Sequence, residues 1–149
     1  MLRFIQKLLS GSPDQDVGAQ GERLAAEWLE RERRFSVVTR NWRNPHDRRE
    51  EIDLVCRDVD VLVFVEVKAR AADALVPGYH AVDRRKRRVL QRAIKTYLRL
   101  LREKPATFRF DVVEVGWPPP SGENGPTSPA APQILHFENV PLFSKYFRG

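Results

Sequence analysis

The sequence predicts an α/β fold in which a mixed β-sheet is flanked by helices. Several short stretches of β-branched and apolar residues alternate in polarity with a period of two, which is typical of strands. Two other stretches place apolar residues at three- and four-residue steps, which is typical of helices. In order, these are a helix, a strand, a strand–strand hairpin, a helix and two strands, and they contain an αβββαβ core. Because a helix follows the hairpin, the next strand should pair parallel with the hairpin's second strand.

Length and charge restrict the classes of protein. The chain has 149 residues, which suits one domain with a hydrophobic core. Its formal net charge of +6 favours a polyanionic partner, and its many arginines suit phosphate recognition. The single cysteine, Cys56, excludes an intrachain disulfide and indicates a reducing compartment, so we expect a cytoplasmic protein. No apolar run is long enough to span a bilayer.

Composition divides the chain into four parts. They are an amphipathic N-terminal segment (1–15), a core (16–115), a flexible loop rich in Pro and Gly (116–132), and a final strand with a C-terminal tail (133–149). The first segment should fray or dock on the domain, since so short a helix is marginal in water; contact with a membrane surface is an alternative. The Pro- and Gly-rich loop cannot build a core, so we expect an exposed insertion.

The first helix is predicted to begin with Asp16 as its N-cap and to end near Arg33. Its apolar stripe consists of Leu24, Ala25, Trp28 and Leu29. Glu22 points toward the same face of the helix. It either stabilises the positive end of the helix dipole or reaches the sheet and joins other acids there.

A first strand is predicted at Phe35–Thr39, followed by a polar loop, residues 40–49, with four arginines and Trp42. Basic residues beside an aromatic ring suit a nucleic-acid surface, where rings stack on bases. A core anchor is an equal alternative for Trp42. The histidines show no zinc-ligand spacing, and each is predicted to lie on the surface or in a loop: His46, His80 and His136.

The hairpin carries the acids that matter most for function. If Val59 and Asp60 form a two-residue turn, Asp53 lies directly opposite Glu66, with Cβ atoms ~4.5–5.5 Å apart. A three-residue turn would put the two acids on opposite faces of the sheet. Two opposed carboxylates repel one another and raise one pKa unless a cation lies between them.

With Lys68 beside them, Asp53 and Glu66 suit a hard divalent cation, because Mg²⁺ uses one or two carboxylates plus waters. The alternative is that all three are ordinary solvent-facing residues. Leu62 and Phe64 share the Glu66 face, which indicates that this face is covered and that its carboxylate needs a partner.

The second helix, Val82–Arg102, has the strongest periodicity in the chain. Its apolar stripe is Val82, Val89, Leu90, Ala93, Ile94, Tyr97, Leu98 and Leu101. Lys86 lies on this stripe and is expected to face the candidate site or a phosphate. A second, basic stripe contains Arg84, Arg88, Arg92, Lys95, Arg99 and Arg102. The dense run at residues 84–88 predicts phosphate contact, with a solvated helix face as the alternative.

The C-terminal part supplies the last strands. Thr107–Val115 alternates in polarity and contains Asp111, and Gln133–Asn139 is predicted as the final strand. Four apolar residues of the tail are available for docking: Leu142, Phe143, Tyr146 and Phe147.

Asp53 followed by Glu66-Val67-Lys68 resembles the PD-(D/E)xK nuclease superfamily, particularly its Holliday-junction-resolvase-like branch. The wider pattern from Gly18 to Asp111 resembles the bacterial YraN-like family of small proteins. Its motifs here are Gly21-Glu22, Arg40-Asn41-Trp42-Arg43, Glu51-Ile52-Asp53-Leu54, Val63-Phe64-Val65-Glu66-Val67-Lys68-Ala69-Arg70, Val82 with Lys86, and Arg109-Phe110-Asp111. Glu50 departs from the pattern, since the family usually has Gly there, and it would alter the turn or add negative charge to the site.

The resemblance implies a restriction-endonuclease-like fold and a Mg²⁺- or Mn²⁺-dependent endonuclease on structured or branched DNA. Asp53, Glu66 and the Val67 carbonyl would bind the metal, Glu22 would hold a metal water or a second ion, and Lys68 would orient the attacking water. The candidate nucleic-acid contacts are Arg43, Arg70, Arg84, Arg85, Lys86, Arg87 and Arg88. Resolvases usually act as dimers, so a homodimer is one state to test, although no stretch predicts a dimer interface.

Two alternatives belong to other functional classes. The first is a nucleic-acid-binding or partner-binding module that keeps the nuclease fold without cutting. The second is a structural protein whose apolar ends, Met1–Leu9 and Leu142–Phe147, dock on a partner. Divalent-metal binding separates the nuclease from the first alternative, and salt-sensitive nucleic-acid binding separates both from the second.

Overall fold

The sheet at the centre of the molecule has five strands in the order β1-β2-β3-β4-β5 within the part of the chain that the structure describes. The structure is a computed structural model that describes residues 13–71, 82–118 and 131–147. Its elements are α1 (Pro13–Glu32), β1 (Ser36–Arg43), β2 (Glu51–Asp58), β3 (Val61–Ala71), α2 (Arg84–Leu100), β4 (Thr107–Trp117) and β5 (Gln133–Phe137). The predicted N-terminal segment up to residue 12, the loop at 72–81 with His80, and the insertion at 119–130 lie outside the described residues.

Strand pairing confirms the predicted α/β class. β1, β2 and β3 pair antiparallel in succession, and β4 pairs antiparallel with β5. β3 and β4 are parallel neighbours, as expected for two strands that α2 connects. The mixed sheet with its two helices is consistent with a restriction-endonuclease-like core.

The hairpin register is the one that brings the acids together. Asp58 pairs with Val61, so Val59 and Asp60 form a two-residue turn. The ladder runs to Leu54 opposite Val65, and the next opposed positions are Asp53 and Glu66. Of the two possible turn lengths, the structure has the two-residue turn, and the two acids therefore share one face.

Each face of the sheet is covered by one helix. Alternate residues of β3 point to opposite faces: Val63 and Val65 pack with α1, whereas Leu62 and Phe64 pack with α2. The α1 layer contains Ala25, Ala26, Leu29, Leu54, Cys56, Val113 and Val115. The α2 layer contains Ile52, Val55, Leu90, Ala93, Ile94, Tyr97, Leu98, Phe110 and Val112. The central strands are thus buried on both sides, which forces any acid within them to find a partner.

The predicted polar loop from Arg40 onward was wrong at its start. β1 continues to Arg43, because Trp42 pairs with Ile52 and Arg43 with Glu51 of the neighbouring strand. The Trp42 ring lies edge-on to Tyr97 with centroids 5.3 Å apart. Trp42 is therefore a core anchor, and the stacking alternative for this residue does not hold.

The helix boundaries differ by a few residues from the prediction. α1 begins at Pro13 rather than after Asp16, and proline is well tolerated in the first helical turn. α2 begins at Arg84 instead of Val82, because the Asp83 side chain caps it by accepting a hydrogen bond from the Lys86 backbone N–H at 2.8 Å. In the described residues, no helix has the length and apolar character needed to cross a membrane.

His136 was wrongly expected on the surface or in a loop. It lies on β5 with its side chain 3% exposed, and Nε2 is 2.9 Å from Asp111 Oδ2. Asp111 also accepts hydrogen bonds from the Arg109 side chain and from the Asn139 backbone N–H. Burial alone would raise the pKa of Asp111, but these hydrogen bonds outweigh it and the pKa lies below its usual value. The cluster fastens β5 and the turn after it to β4.

Most of the C-terminal tail docks on the chain's own core. Leu142 is buried in the α2 layer, and Phe143 stacks on Phe147 at 4.4 Å. Tyr146 is exposed. Of the two apolar ends that the structural-protein alternative assigned to a partner, the C-terminal one is thus largely covered by this domain, and Met1–Leu9 lie outside the described residues.

Candidate metal-binding site

Two buried carboxyl groups meet on the α2 face of the sheet. Asp53 on β2 is 7% exposed, and Glu66 on β3 is 2% exposed. Asp53 Oδ2 accepts a hydrogen bond from the Val67 backbone N–H at 2.8 Å. That bond holds the Asp53 carboxyl against β3, next to the position of Glu66.

The environment strongly disfavours a negative charge on Asp53. Burial is the largest cause, followed by repulsion from the Glu66 carboxylate. The hydrogen bond from Val67 and the positive charge of Lys86 oppose both effects only in part, and the pKa of Asp53 rises to about 8. The acid pair therefore carries unrelieved repulsion in the absence of a further cation.

Two lysines contact Glu66 from different elements. Lys68 Nζ is 2.9 Å from Glu66 Oε1, and Lys86 Nζ on α2 is 3.3 Å from the same oxygen. Burial tends to lower the pKa of Lys86, but the negative charges of Glu66 and Asp53 outweigh it and raise the pKa. Lys86 thus faces the acid pair, which is one of the two orientations expected from its place on the apolar stripe.

Glu22 belongs to the same electrostatic group. Its pKa is raised, first by burial and then by the negative charges of Glu51 and Glu66, while a hydrogen bond from Asn41 and the charge of Arg43 act in the opposite direction. Glu22 therefore reaches the sheet, in agreement with the second interpretation of its role. The four residues Glu22, Asp53, Glu66 and Lys68 come from α1, β2 and β3.

Gly21 allows α1 to lie close enough to the sheet. A Cβ atom at Gly21 would lie 2.7 Å from the Cβ of Ala69 on β3, which is too close for any other residue without movement. The absence of a side chain at Gly21 therefore positions Glu22 beside the carboxylates of β2 and β3.

The acid pair fits a divalent cation held by few protein ligands. Glu66 Oε2 is buried and has no hydrogen-bond partner among the described residues, so one carboxylate oxygen is left for an ion or a water. In that same part of the chain, no group of three or more His, Cys, Asp or Glu side chains is arranged to hold a metal. The two carboxylates with one free oxygen are a donor set that Mg²⁺ can use, because this ion needs only one or two carboxylates and keeps several waters.

Glu50 does not add its charge to the acid pair. It is 6% exposed, and its carboxylate accepts hydrogen bonds from Asn44 Nδ2 and from Arg92 Nε, each at 2.7 Å. Its backbone carbonyl accepts from the Asn44 N–H at 2.9 Å. Glu50 therefore fastens the loop before β2 to α2.

Apart from Lys86, which contacts Glu66, the predicted nucleic-acid contacts lie in three places. Arg43 Nη2 is 3.0 Å from Glu51 Oε2 at the edge of the site, and Arg70 lies on β3 two residues beyond Lys68. Arg87 donates to the Pro141 carbonyl and is tied to the C-terminal tail. The remaining arginines line a cleft of about 590 Å³ between α2 and the loop before β2: Arg84, Arg85 and Arg88.

Sequence reasoning missed two contacts in and around the site. Asn41, which hydrogen-bonds Glu22, belongs to a motif that the sequence already singled out, but its conformation with φ 50° is visible only in the structure. The Glu50–Arg92 pair joins residues far apart in the chain, and no local pattern signals it.

The comparison with known proteins assigns a family. Residues 21–115 match the model of the uncharacterised protein family UPF0102. The chain belongs to this family. It is the YraN-like family that the motifs resemble, so that prediction is confirmed. All the acids of the site and both of its lysines lie within the matched residues.

Several curated UPF0102 proteins are similar over most of their length. The relative from Geobacter metallireducens is 37% identical over 127 residues, which is 85% of this chain and 93% of the relative. That from Symbiobacterium thermophilum is 43% identical over 106 residues, or 71% of this chain and 86% of the relative. That from Beutenbergia cavernae is 44% identical over 99 residues, or 66% and 80%. Their names carry the family designation and no activity.

Proposed function

We propose that this UPF0102 protein is a metal-dependent endonuclease of the PD-(D/E)xK superfamily that hydrolyses phosphodiester bonds in structured or branched DNA. The observation that carries the proposal is the buried pair of Asp53 and Glu66 with Lys68 at 2.9 Å from the Glu66 carboxylate. Two acids and an ammonium group on one sheet face form a suitable environment for a hard cation and an attacked phosphate.

Asp53, Glu66 and the carbonyl of Val67 would hold the ion. When bound, Mg²⁺ or Mn²⁺ would act as a Lewis acid and would lower the pKa of water, so that a nucleophile is available near neutral pH. Glu22, half-buried beside the pair, would accept hydrogen bonds from a water or hold a second ion. No side chain needs to act as a covalent nucleophile in such a site.

The lysines would act on the substrate side of the reaction. Lys68 would orient the attacking water and stabilise the negative charge that develops on the phosphate oxygens. Lys86 contacts the same carboxylate oxygen at 3.3 Å, and its raised pKa keeps it cationic at neutral pH. It would offset the charge of the acid pair when a phosphate approaches.

The choice of DNA and of branched substrates follows from the resemblance to resolvases, as does a homodimer. The net charge of +6 supports a polyanionic substrate. The single cysteine, Cys56, is buried and fits a reducing compartment, so we place this activity in the cytoplasm.

A second candidate is a nucleic-acid-binding module that keeps the fold without cutting. It is favoured by one observation: no three acidic, His or Cys side chains of the described residues are arranged around a metal position. Such a module needs phosphate contacts and no divalent ion.

Calorimetric titration of Mg²⁺ and Mn²⁺ into the wild type and into Asp53→Asn, with single-turnover cleavage of a four-way junction on the same preparations, tests the proposal. We expect metal binding and cleavage in the wild type and the loss of both in Asp53→Asn, which removes one ligand and one negative charge. If the wild type binds DNA but cuts no junction, flap or single strand with either metal, the binding module is the correct function.

A further inference from the structure

Helix α2 carries basic side chains on two separate faces. Lys86 faces the sheet, where it contacts Glu66. Successive residues of an α-helix are rotated by ~100° about its axis. Viewed down the axis of α2, four arginines lie within an arc of about 100°, and the centre of that arc is roughly 150° away from Lys86. They are Arg84, Arg85, Arg88 and Arg92. The body of the helix therefore separates this arginine face from the acid pair.

The arginine face and the loop before β2 enclose the cleft of about 590 Å³. Arg49 adds a fifth guanidinium group to its lining, whereas Asp47 and Glu50 supply two carboxylates. The cleft thus has an excess of positive charge, and its size is that of an ordinary ligand site.

Two of the five arginines that line the cleft form ion pairs within the protein, and the other three are available to bind an anion. Asp47 binds Arg49 through two parallel hydrogen bonds of 2.9 and 2.8 Å, and buried Glu50 holds Arg92 at 2.7 Å. In the ranges that the structure describes, Arg84, Arg85 and Arg88 form no ion pair, and all three are exposed. All three lie on α2, and the Glu50–Arg92 pair holds this helix against the loop before β2.

The cleft offers phosphate contacts but no surface for stacking bases. Among the described residues that line it, Val89 is the only apolar one and none is aromatic. Trp42, the ring that the sequence suggested for stacking, is partly buried and packs against Tyr97 of the core. Proteins that hold single strands combine basic grooves with aromatic platforms, whereas a duplex presents its phosphates outward and its bases stay stacked.

We propose that this cleft binds backbone phosphates of double-stranded DNA, through Arg84, Arg85 and Arg88, at a surface separate from the acid pair. The inference rests on the proposed function for its class of partner and adds that the DNA held here is duplex, contacted without base recognition. In a branched substrate it would be an arm of the junction. Arg87 takes no part, because it is tied to the tail through the Pro141 carbonyl.

The test measures DNA binding without cleavage. Fluorescence anisotropy in EDTA compares a blunt duplex with a single strand of the same length and mixed sequence, at salt concentrations from about 50 to 200 mM. The variants are Arg85→Ala/Arg88→Ala and, as a control with the same charge change, Arg23→Ala/Arg31→Ala on α1. The control arginines are exposed and pair with Glu27 and Glu32. Circular dichroism melts establish that both variants fold.

We expect the wild type to prefer the duplex, with an affinity that falls steeply with salt. Each lost phosphate contact should reduce the magnitude of the slope of log affinity against log salt by ~0.9. The slope of Arg85→Ala/Arg88→Ala should therefore be smaller by about 2, and that of the control variant should be unchanged. An equal loss in both variants would mean that net charge alone acts, and would overturn the proposed cleft. Equal or tighter binding of the single strand would overturn the duplex assignment, and so would no binding of either probe.

The outcome is separable from that of the nuclease proposal. If the duplex binds with the expected loss of slope but no substrate is cut with Mg²⁺ or Mn²⁺, the nuclease proposal fails and the duplex-binding cleft stands. If junctions are cut while Arg85→Ala/Arg88→Ala binds the duplex with the wild-type slope, the nuclease proposal stands and the cleft is refuted.

Discussion

Removing the charge of Asp53 should stabilise the metal-free protein, and the gain should grow with pH. In the unfolded chain the pKa of this carboxyl is near 3.8, and burial with the nearby Glu66 carboxylate raises it to about 8 in the fold. Between these values the folded state binds a proton that the unfolded state releases, so the free energy of unfolding falls as pH rises. Below the pKa of the unfolded chain, Asp53 is protonated in both states and destabilises neither. Above its pKa in the fold, Asp53 is ionised in both states, and the loss of stability no longer changes with pH.

The magnitude follows from the linkage relation. Each pH unit inside the window costs up to ~1.4 kcal/mol for one proton, so a change of two units between pH 5 and pH 7 costs up to ~2.7 kcal/mol. Because the charges of Glu66 and Lys86 act on Asp53, we expect a measured difference of ~1–3 kcal/mol. At ~2–4 °C per kcal/mol for a chain of this size, the Tm of Asp53→Asn relative to the wild type should rise by roughly 2–12 °C over this range.

Differential scanning fluorimetry or calorimetry in EDTA, at several values between pH 5 and pH 7, measures this. Asn can still accept the hydrogen bond from the Val67 N–H, so the comparison isolates the charge. Asp60→Asn, which removes a charge at the exposed hairpin turn, is the matched control and should follow the wild type. Added Mg²⁺ should restore the wild type at pH 7 and leave Asp53→Asn unchanged. Parallel Tm curves for Asp53→Asn and the wild type would refute the reasoning that Asp53 is the repelled carboxylate.

Three further changes test other parts of the molecule. Lys68→Ala leaves the acidic ligands in place and deletes a cation, so calorimetric Mg²⁺ affinity should persist or increase while single-turnover cleavage falls by ~10²-fold or more; weaker metal binding would contradict the role given to Lys68. Gly21→Ala should cost ~1–3 kcal/mol in urea unfolding, because its Cβ would meet Ala69, whereas Gly18→Ala, with nothing within 4 Å, should be neutral or stabilising. Equal effects of the two would refute the close packing of α1. Val59 has φ 53° in the hairpin turn, so Val59→Gly should stabilise by ~0.5–1 kcal/mol in the same assay, and a loss of stability would show that the turn is unstrained.

Local patterns predicted the order and type of the elements and the strands that carry the central pair of acids. The two-residue period of β2 and β3 predicted that Asp53 and Glu66 face each other if the turn has two residues, and the strand pairing shows that it does, since register follows from turn length and alternation. The apolar stripe of α2 likewise predicted that Lys86 points inward, and it does so at 3.3 Å from Glu66.

Other features depended on neighbours that a local pattern does not reveal. The segment after Thr39 is polar and was predicted as a loop, but β2 supplies hydrogen-bond partners that extend β1 to Arg43. The sequence suggested that Glu50 alters the turn or adds negative charge to the site, but in the structure its carboxylate is paired with Arg92, which lies 42 residues away in the chain.

The sequence by itself therefore determined the order and type of the strands and helices and the residues that alternate on each strand, because periodicity acts over a few residues. Tertiary structure alone decided which polar groups are buried and with what partner. His136 is buried because Asp111, 25 residues earlier, accepts its hydrogen bond, and Glu50 is buried because Arg92 reaches it from α2. Such pairs form only when distant segments pack together, since burying a polar group is tolerated where its partner is also present.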